Sequence, residues 1–93
     1  MEKRTEWARN IATGAPAGAA TVSVKLNGTD TLATLYSDNG VTPKANPFTA
    51  AATTGIYSYY AANDRYDETV TPAAGGGDAY TTTDLILYDP GGL

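Results

Sequence analysis

Apolar and polar side chains alternate along several short stretches of the chain. In residues 21–26, Val22, Val24 and Leu26 alternate with polar residues, which is the period of two typical of a half-buried β-strand. The Asn-Gly pair that follows favours a turn, because both residue types tolerate a positive φ. We therefore predict that residues 31–36 return as the second strand of a hairpin.

Two stretches that carry tyrosine, residues 56–60 and 65–71, are predicted to form further strands. Two tyrosines share one face of the first stretch, because side chains two positions apart lie on the same side of a strand. The polar residues between the two stretches predict a turn, so we expect the strands to pair as a second hairpin. The aromatic side chains expected in the core are Phe48, Tyr57, Tyr59 and Tyr66.

The last alternating stretch, residues 80–88, carries apolar side chains on both faces, which predicts a strand buried on both sides, either within the domain or by a neighbouring molecule. Between Pro43 and Pro47 the missing N–H groups predict an edge strand or a loop. Short strands separated by turn signals every 8 to 12 residues or so are typical of sandwiches. The predicted fold class is all-β: a single antiparallel β-sandwich of six or seven strands with an extended N-terminal arm.

The N-terminal segment differs in composition from the rest of the chain. Residues 1–11 are rich in charge, whereas residues 12–20 are mostly small and are typical of a flexible linker. A frayed tail is the alternative to an ordered arm. Trp7 and Ile11 favour the arm, because a large apolar ring on a terminal segment is more useful against a partner than in water.

Ninety-three residues provide one hydrophobic core but not two. A domain of this size has a small margin of stability, to which a second copy would add, so we expect a homo-oligomer. The predicted organisation is an N-terminal arm and linker over residues 1–20, a β-sandwich domain over residues 21–89 and a C-terminal tail over residues 90–93.

The residue types that are missing limit the chemistry. The chain contains neither cysteine nor histidine, so it lacks thiolate ligands and the usual general base near neutral pH. We predict that it is not an enzyme and that it holds no cofactor and no metal. A net charge of −4 argues against nucleic acid as a partner. No apolar run reaches the roughly 20 residues of a membrane-spanning helix, and we expect no membrane partner.

Acidic residues gather around one predicted turn. Asp64, Asp67 and Glu68 offer oxygen ligands for calcium. Their spacing is not that of a known calcium-binding loop, so we expect a solvated acidic turn with local hydrogen bonds.

Four further tyrosines remain as candidate surface aromatics: Tyr36, Tyr60, Tyr80 and Tyr88. Exposed tyrosines bind the faces of sugar rings, but contact with another protein explains them equally well. The residues predicted to bind a partner are Trp7, Ile11, Tyr60 and Tyr88.

Residues 49–70 resemble a known family of sandwiches. The run Gly55-Ile-Tyr-Ser-Tyr, followed by Tyr66 and Val70, is similar to the pattern of carboxypeptidase-regulatory-like, or prealbumin-like, β-sandwich modules. Residues 31–70, which include Asn-Pro-Phe-Thr and Arg-Tyr-Asp, resemble more closely the small modules of this type in tailed-phage virion proteins.

The resemblance implies a virion structural protein that attaches rather than catalyses. We expect a capsid decoration or cement protein, bound to the head surface through its arm and the edges of the sandwich. Its partner would be the major capsid protein or another virion protein. The protein would be located in the virion, which is assembled in the host cytoplasm. The alternatives are an adaptor that attaches a fibre to the tail or neck, and a carbohydrate-binding module.

Two residues depart from the family pattern. Arg65 stands where the family usually has glycine, and Glu68 stands where an inward valine is expected. Because an unpaired carboxylate is costly to bury, we expect Glu68 at a sheet margin beside a basic group such as Arg65. The alternative is a strand displaced by one residue, which would turn Glu68 outward.

Overall fold

The computed structural model describes residues 1–38 and 40–88. Within them the chain forms eight β-strands and no helix, so no helical span that could cross a membrane is found there. The strands are β1 (Glu2–Trp7), β2 (Thr21–Leu26), β3 (Leu35–Tyr36), β4 (Pro43–Lys44), β5 (Phe48–Thr49), β6 (Ile56–Ala61), β7 (Asp64–Thr71) and β8 (Tyr80–Leu87). The all-β prediction is confirmed, with eight strands in place of six or seven.

The strands form two antiparallel sheets of four. One has the order β1-β6-β3-β4, which we call the front sheet, and the other has the order β5-β2-β7-β8, which we call the back sheet. The inward side chains of the two sheets form one core, as expected for a sandwich. The predicted C-terminal tail, residues 90–93, lies outside the described residues.

The N-terminal segment is part of the sandwich rather than an extended arm. Strand β1 pairs with β6 along its whole length, from Glu2 to Trp7. The residues that follow form a short hairpin closed by a bridge between Arg9 and Pro16, and Ala17 and Ala20 beyond it are buried. Residues 2–7 are therefore a paired strand instead of an extended arm. Of the predicted linker, Ala17 and Ala20 pack against the core, whereas residues 11–16 are exposed.

The predicted hairpin between residues 21–26 and 31–36 forms next to its turn, whereas the one between β6 and β7 does not form. Lys25 bridges to Leu32 and the Ala33 N–H donates to the Val24 carbonyl at 2.9 Å, and the chain then passes to the front sheet, where β3 lies. Strands β6 and β7 also belong to different sheets, although only two residues separate them. The turn at residues 27–30 reverses the chain alongside β2, whereas the turn at residues 62–63 reverses it between the two sheets. The inward faces of consecutive strands therefore meet across the core.

The core contains the aromatic side chains that the alternation predicts. Tyr57, Tyr59 and Tyr66 are buried, and Phe48 is buried at 8% exposure. The Phe48 ring lies 5.9 Å from that of Tyr57 and 5.8 Å from that of Tyr59, between ring centroids. These tilted contacts are of the kind that aromatic pairs favour. The inward assignment of the three tyrosines is confirmed.

Strand β8 is an edge strand, and only one of its faces is buried within this chain, so burial of the other by a neighbouring molecule stays a prediction. Leu87 is buried, whereas Ile86 on the opposite face is 62% exposed, because no strand covers that side of the back sheet among the described residues. Strand β8 bulges opposite Asp67, where Asp84 has a φ of 53°. Strand β4, which begins at Pro43, is also an edge strand, as its proline predicts.

Candidate binding face

The outer surface of the front sheet carries an exposed row of paired side chains. Along β1 the half-buried and exposed positions alternate, with Trp7 among the exposed ones. Trp7 stands opposite Ile56 and Lys3 stands opposite Tyr60 on β6. Cross-strand partners lie on the same face of a sheet. The four side chains therefore share one surface, which we call the front face.

A hollow of about 420 Å³ opens at one end of the front face. Trp7 is 36% exposed and Ile56 is 52% exposed, although both are large apolar side chains. We call this feature the Trp7 hollow. It is lined by Thr5, Glu6, Trp7, Pro16, Thr54 and Ile56.

Arg9 holds the tryptophan at the margin of the hollow. Its guanidinium carbon lies 5.7 Å from the centre of the Trp7 ring and 5.6 Å from that of the Tyr80 ring. Its backbone N–H also donates to the Tyr80 hydroxyl at 3.2 Å. Cations at this distance from an aromatic ring attract it. Through these contacts Arg9 links Trp7 of the front sheet to Tyr80 on β8 of the back sheet.

The other end of the front face carries a pair of tyrosines. Tyr60 on β6 stands opposite Tyr36 on β3, and both rings are partly exposed. The Lys3 ammonium lies 5.8 Å from the centre of the Tyr60 ring. A cation in this position competes with any ligand that stacks on the same ring.

The free edge of β1 is protected against pairing with another strand. The Ala8 N–H donates to the Gly55 carbonyl, so alternation directs the Lys3 and Trp7 N–H groups away from β6. These two groups donate to the side chains of the preceding glutamates, at 3.0 and 3.1 Å. An inward charge, here Arg4, is a further common protection of edge strands. The face of β1 is therefore more available for binding than its edge.

The structure brings together two of the four predicted binding residues. Trp7 and Tyr60 lie on the front face. Ile11 is 53% exposed in the turn that follows β1, and Tyr88 is 53% exposed after β8 of the back sheet. Neither lines the hollow. Ile56 was missed as a binding residue, although its alternation with the inward Tyr57 already indicated an outward side chain.

Glu68 lies at the centre of the sandwich, not at its margin. Its side chain is 2% exposed and faces inward from β7. Its carboxylate accepts hydrogen bonds from the Tyr57 and Tyr59 hydroxyls, at 2.6 and 2.5 Å. It also accepts from the Arg4 guanidinium, with Nε at 2.8 Å and Nη2 at 3.2 Å. The expected margin position is wrong, as is the alternative of an outward side chain.

The basic partner of Glu68 is also not the expected one. Arg65 lies on the outside of the sandwich, 61% exposed, and pairs with Asp84 at 3.4 Å. Arg4 instead supplies the charge from β1, a strand that the sequence did not predict. A buried carboxylate needs both an opposite charge and hydrogen-bond donors, and β1 and β6 together provide both.

The electrostatics of this cluster fix the protonation states of Arg4 and the two tyrosines. Burial lowers the pKa of Arg4, but the hydrogen bond and the charge of Glu68 outweigh it and hold that pKa above its ordinary value. Burial raises the pKa of Tyr57 and Tyr59, and Glu68 raises both further. The phenols stay protonated and the guanidinium stays charged near neutral pH. Such a cluster suits the fastening of β1 to the core better than proton transfer.

The acidic turn of the sequence is divided between the two faces of β7. Asp67 points outward, and its Oδ1 accepts from the Asn27 side-chain amide at 2.9 Å while its Oδ2 accepts from the Gly28 N–H at 3.0 Å. These bonds, with one from the Asp84 N–H, lower the pKa of Asp67. Within residues 1–38 and 40–88 no three acidic side chains converge as a metal site would require.

Comparison with known proteins identified no relative of this chain. No family model, no curated protein and no solved structure matches the chain. The likeness to phage and prealbumin-like modules therefore rests on the residues of this sequence alone.

Proposed function

We propose that this chain is a non-catalytic attachment module that binds another protein through its front face. The observation that carries the proposal is the Trp7 hollow, where a tryptophan and an isoleucine stand exposed side by side on a paired sheet. Tryptophan, tyrosine and arginine are the residue types most often found where binding energy concentrates. Trp7, Arg9 and Tyr60 supply all three on or beside this face.

The geometry supports attachment by a preformed surface rather than by an exchanged arm. Strand β1 is paired with β6 and fastened to Glu68 through Arg4. Release of β1 would leave the Glu68 carboxylate buried without its counter-charge, which is costly. A rigid face needs little ordering on binding, so more of the contact energy appears as affinity.

The more specific proposal is a structural protein of a phage virion that decorates the capsid surface. Its support is the resemblance of residues 31–70 to modules of tailed-phage virion proteins. The partner would be the major capsid protein or another virion protein, and the chain would act as a homo-oligomer without enzymatic activity. An adaptor at the tail or neck is the alternative setting. The number of copies per virion separates the two settings. A decoration protein is expected in proportion to the number of capsid subunits, whereas an adaptor is expected in a number set by the symmetry of the tail.

Attachment is tested by measuring the affinity of the purified chain for phage heads that were assembled without this protein. Trp7→Ala removes the largest side chain of the hollow, and we expect it to reduce binding by tenfold or more, the roughly 1.4 kcal/mol or more typical of a central interface residue. Tyr88→Ala, an exposed aromatic outside the front face, is the control. If Trp7→Ala bound as tightly as wild type, the proposal that the front face is the binding surface would be wrong.

A carbohydrate-binding module is a second candidate, favoured by the pair formed by Tyr36 and Tyr60. Adjacent aromatic rings on a flat sheet suit the faces of sugar rings. The Lys3 ammonium over Tyr60 makes the protein partner the better supported of the two. A glycan array with Tyr60→Ala and Tyr88→Ala variants decides between them, and binding lost only with Tyr60→Ala would favour sugar.

A further inference from the structure

The turn after β2 contains Asn27 followed by Gly28, a dipeptide that readily loses ammonia from its side chain. In this reaction the backbone nitrogen of the glycine attacks the side-chain carbonyl carbon of the asparagine. Glycine permits the attack because it has no side chain to hinder it. The same dipeptide occurs a second time in the chain, at residues 39 and 40.

One carboxylate holds both reacting groups of the first dipeptide. The Asn27 Nδ2, which is the leaving group, donates to Asp67 Oδ1 at 2.9 Å. The Gly28 N–H, which is the nucleophile, donates to Asp67 Oδ2 at 3.0 Å. The Asn27 N–H donates in turn to the Arg65 carbonyl at 3.2 Å. Both groups thus donate to the same carboxylate, one to each of its oxygens.

This arrangement opposes each step of the reaction. The Gly28 nitrogen must lose its proton before it attacks, and the negative charge of Asp67 disfavours a second negative charge beside it. The bond from the Asn27 Nδ2 to Asp67 also restrains the side-chain rotation through which its carbonyl carbon would approach that nitrogen. Asp67 is itself held by the Asp84 N–H at 3.1 Å. We propose that Asp67 protects Asn27 from deamidation, and that the turn is a latent modification site.

The product would disrupt the contacts that restrain the turn. A bond forms between the Gly28 nitrogen and the Asn27 side-chain carbon, the bond from that carbon to Nδ2 breaks, and ammonia leaves with the proton from Gly28. Water then opens the cyclic imide and leaves aspartate or isoaspartate at position 27. A carboxylate there would face Asp67 with like charge and no proton to donate, so the turn would separate from β7.

The experiment measures the rate of deamidation at each Asn-Gly site by peptide mass spectrometry. Wild type, Asp67→Ala and Asp67→Asn are incubated at mildly alkaline pH, with urea-unfolded wild type as the unprotected reference. We expect Asn27 to react at least tenfold more slowly in folded than in unfolded wild type, and both variants to lose much of this protection. Asp30→Ala, which removes another carboxylate of the same turn, is the matched control and should leave the rate unchanged.

Circular dichroism of each variant reports on its folding. An unfolded Asp67 variant would lose the wild-type spectrum, whereas loss of local protection raises the rate at Asn27 in a chain that keeps that spectrum. Equal rates at Asn27 in folded and unfolded wild type would overturn the proposal. A slower reaction in the Asp67 variants would also overturn it, because Asp67 would then act as a base that promotes the attack.

Discussion

Arg4 and Glu68 join the two sheets of the sandwich, with the Arg4 Nε 2.8 Å from the Glu68 Oε2. Arg4 lies on β1 at the edge of the front sheet, and Glu68 lies on β7 inside the back sheet. Glu68 is the one charged residue that is fully buried among the described residues. A single ion pair therefore fastens the N-terminal strand to the centre of the domain.

Removal of Arg4 should destabilise the protein strongly. In Arg4→Ala the Glu68 carboxylate keeps its two tyrosine donors but loses its counter-charge, and loss of one partner of a buried pair costs about 3 kcal/mol. We expect the free energy of unfolding in urea to fall by about that amount. Arg65→Ala is the matched control, since its ion pair with Asp84 is exposed and its loss should cost less than about 0.5 kcal/mol. Equal effects of the two variants would contradict a structural role for the buried pair.

Stability should decrease at alkaline pH because of two buried phenols. Burial, and then Glu68, raise the pKa of Tyr57 and Tyr59 above the ordinary value of 10.0. Above that pH the unfolded chain loses the phenol protons while the folded chain keeps them, so the free energy of unfolding falls as pH rises. Below that pH the contribution of the phenols is complete. Urea titrations across this range should give a declining midpoint, with a weaker decline in the double variant Tyr57→Phe, Tyr59→Phe. If the urea midpoint declined equally in wild type and in the double variant, the loss of stability would come from titratable groups other than Tyr57 and Tyr59.

Deletion of residues 2–7 distinguishes a structural strand from a free arm. Because β1 covers β6 and supplies Arg4, we expect the truncated chain to lose the cooperative unfolding transition of wild type. Circular dichroism during thermal unfolding measures this. If the truncated chain unfolded with the wild-type transition, residues 2–7 would not contribute to the cooperative fold, and the extended arm that the sequence predicted would be supported.

Gly55 should be intolerant of a side chain because the backbone approaches it closely. A Cβ at this position would lie 2.8 Å from the Ala8 carbonyl oxygen and 3.0 Å from that of Ala17, at a φ of +72°. Gly28 has a similar φ of +74°, but a Cβ there meets nothing within 4 Å. Gly28→Ala should therefore cost only the strain of a left-handed alanine, about 1 kcal/mol. Gly55→Ala should cost about 1 to 3 kcal/mol more, and similar losses in the two variants would contradict the close approach.

The sequence predicted the fold class and the inward tyrosines because both depend on local alternation. Phe48, Tyr57, Tyr59 and Tyr66 occupy the core as the period of two requires. The pairing of strands depends on contacts that are distant in sequence. There the prediction was right only beside the turn at residues 27–30, and it was wrong for β6 and β7. The turns at residues 27–30 and 62–63 indicate that the chain reverses, but not whether it reverses within a sheet or between sheets.

The partner of Glu68 could not be found for the same reason. Arg65 is near Glu68 in sequence, but side chains three positions apart on a strand point to opposite faces, which already argued against that pair. Arg4 is 64 residues away in a segment whose charges suggested a solvated arm. Residues 2–7 show no alternation of apolar and polar side chains that would indicate an inward face, so nothing local identified Arg4 as the partner.

The central claim, attachment through the front face, is tested most directly by two matched isoleucines. Ile56 lies in the Trp7 hollow at 52% exposure, and Ile86 lies on β8 of the back sheet at 62% exposure. Each is replaced by serine, and the affinity of each variant for phage heads that lack the chain is compared with that of wild type. We expect Ile56→Ser to weaken binding by about tenfold, or roughly 1.4 kcal/mol, and Ile86→Ser to leave it unchanged. Wild-type binding by Ile56→Ser together with weakened binding by Ile86→Ser would place the interface on the back sheet and contradict the account.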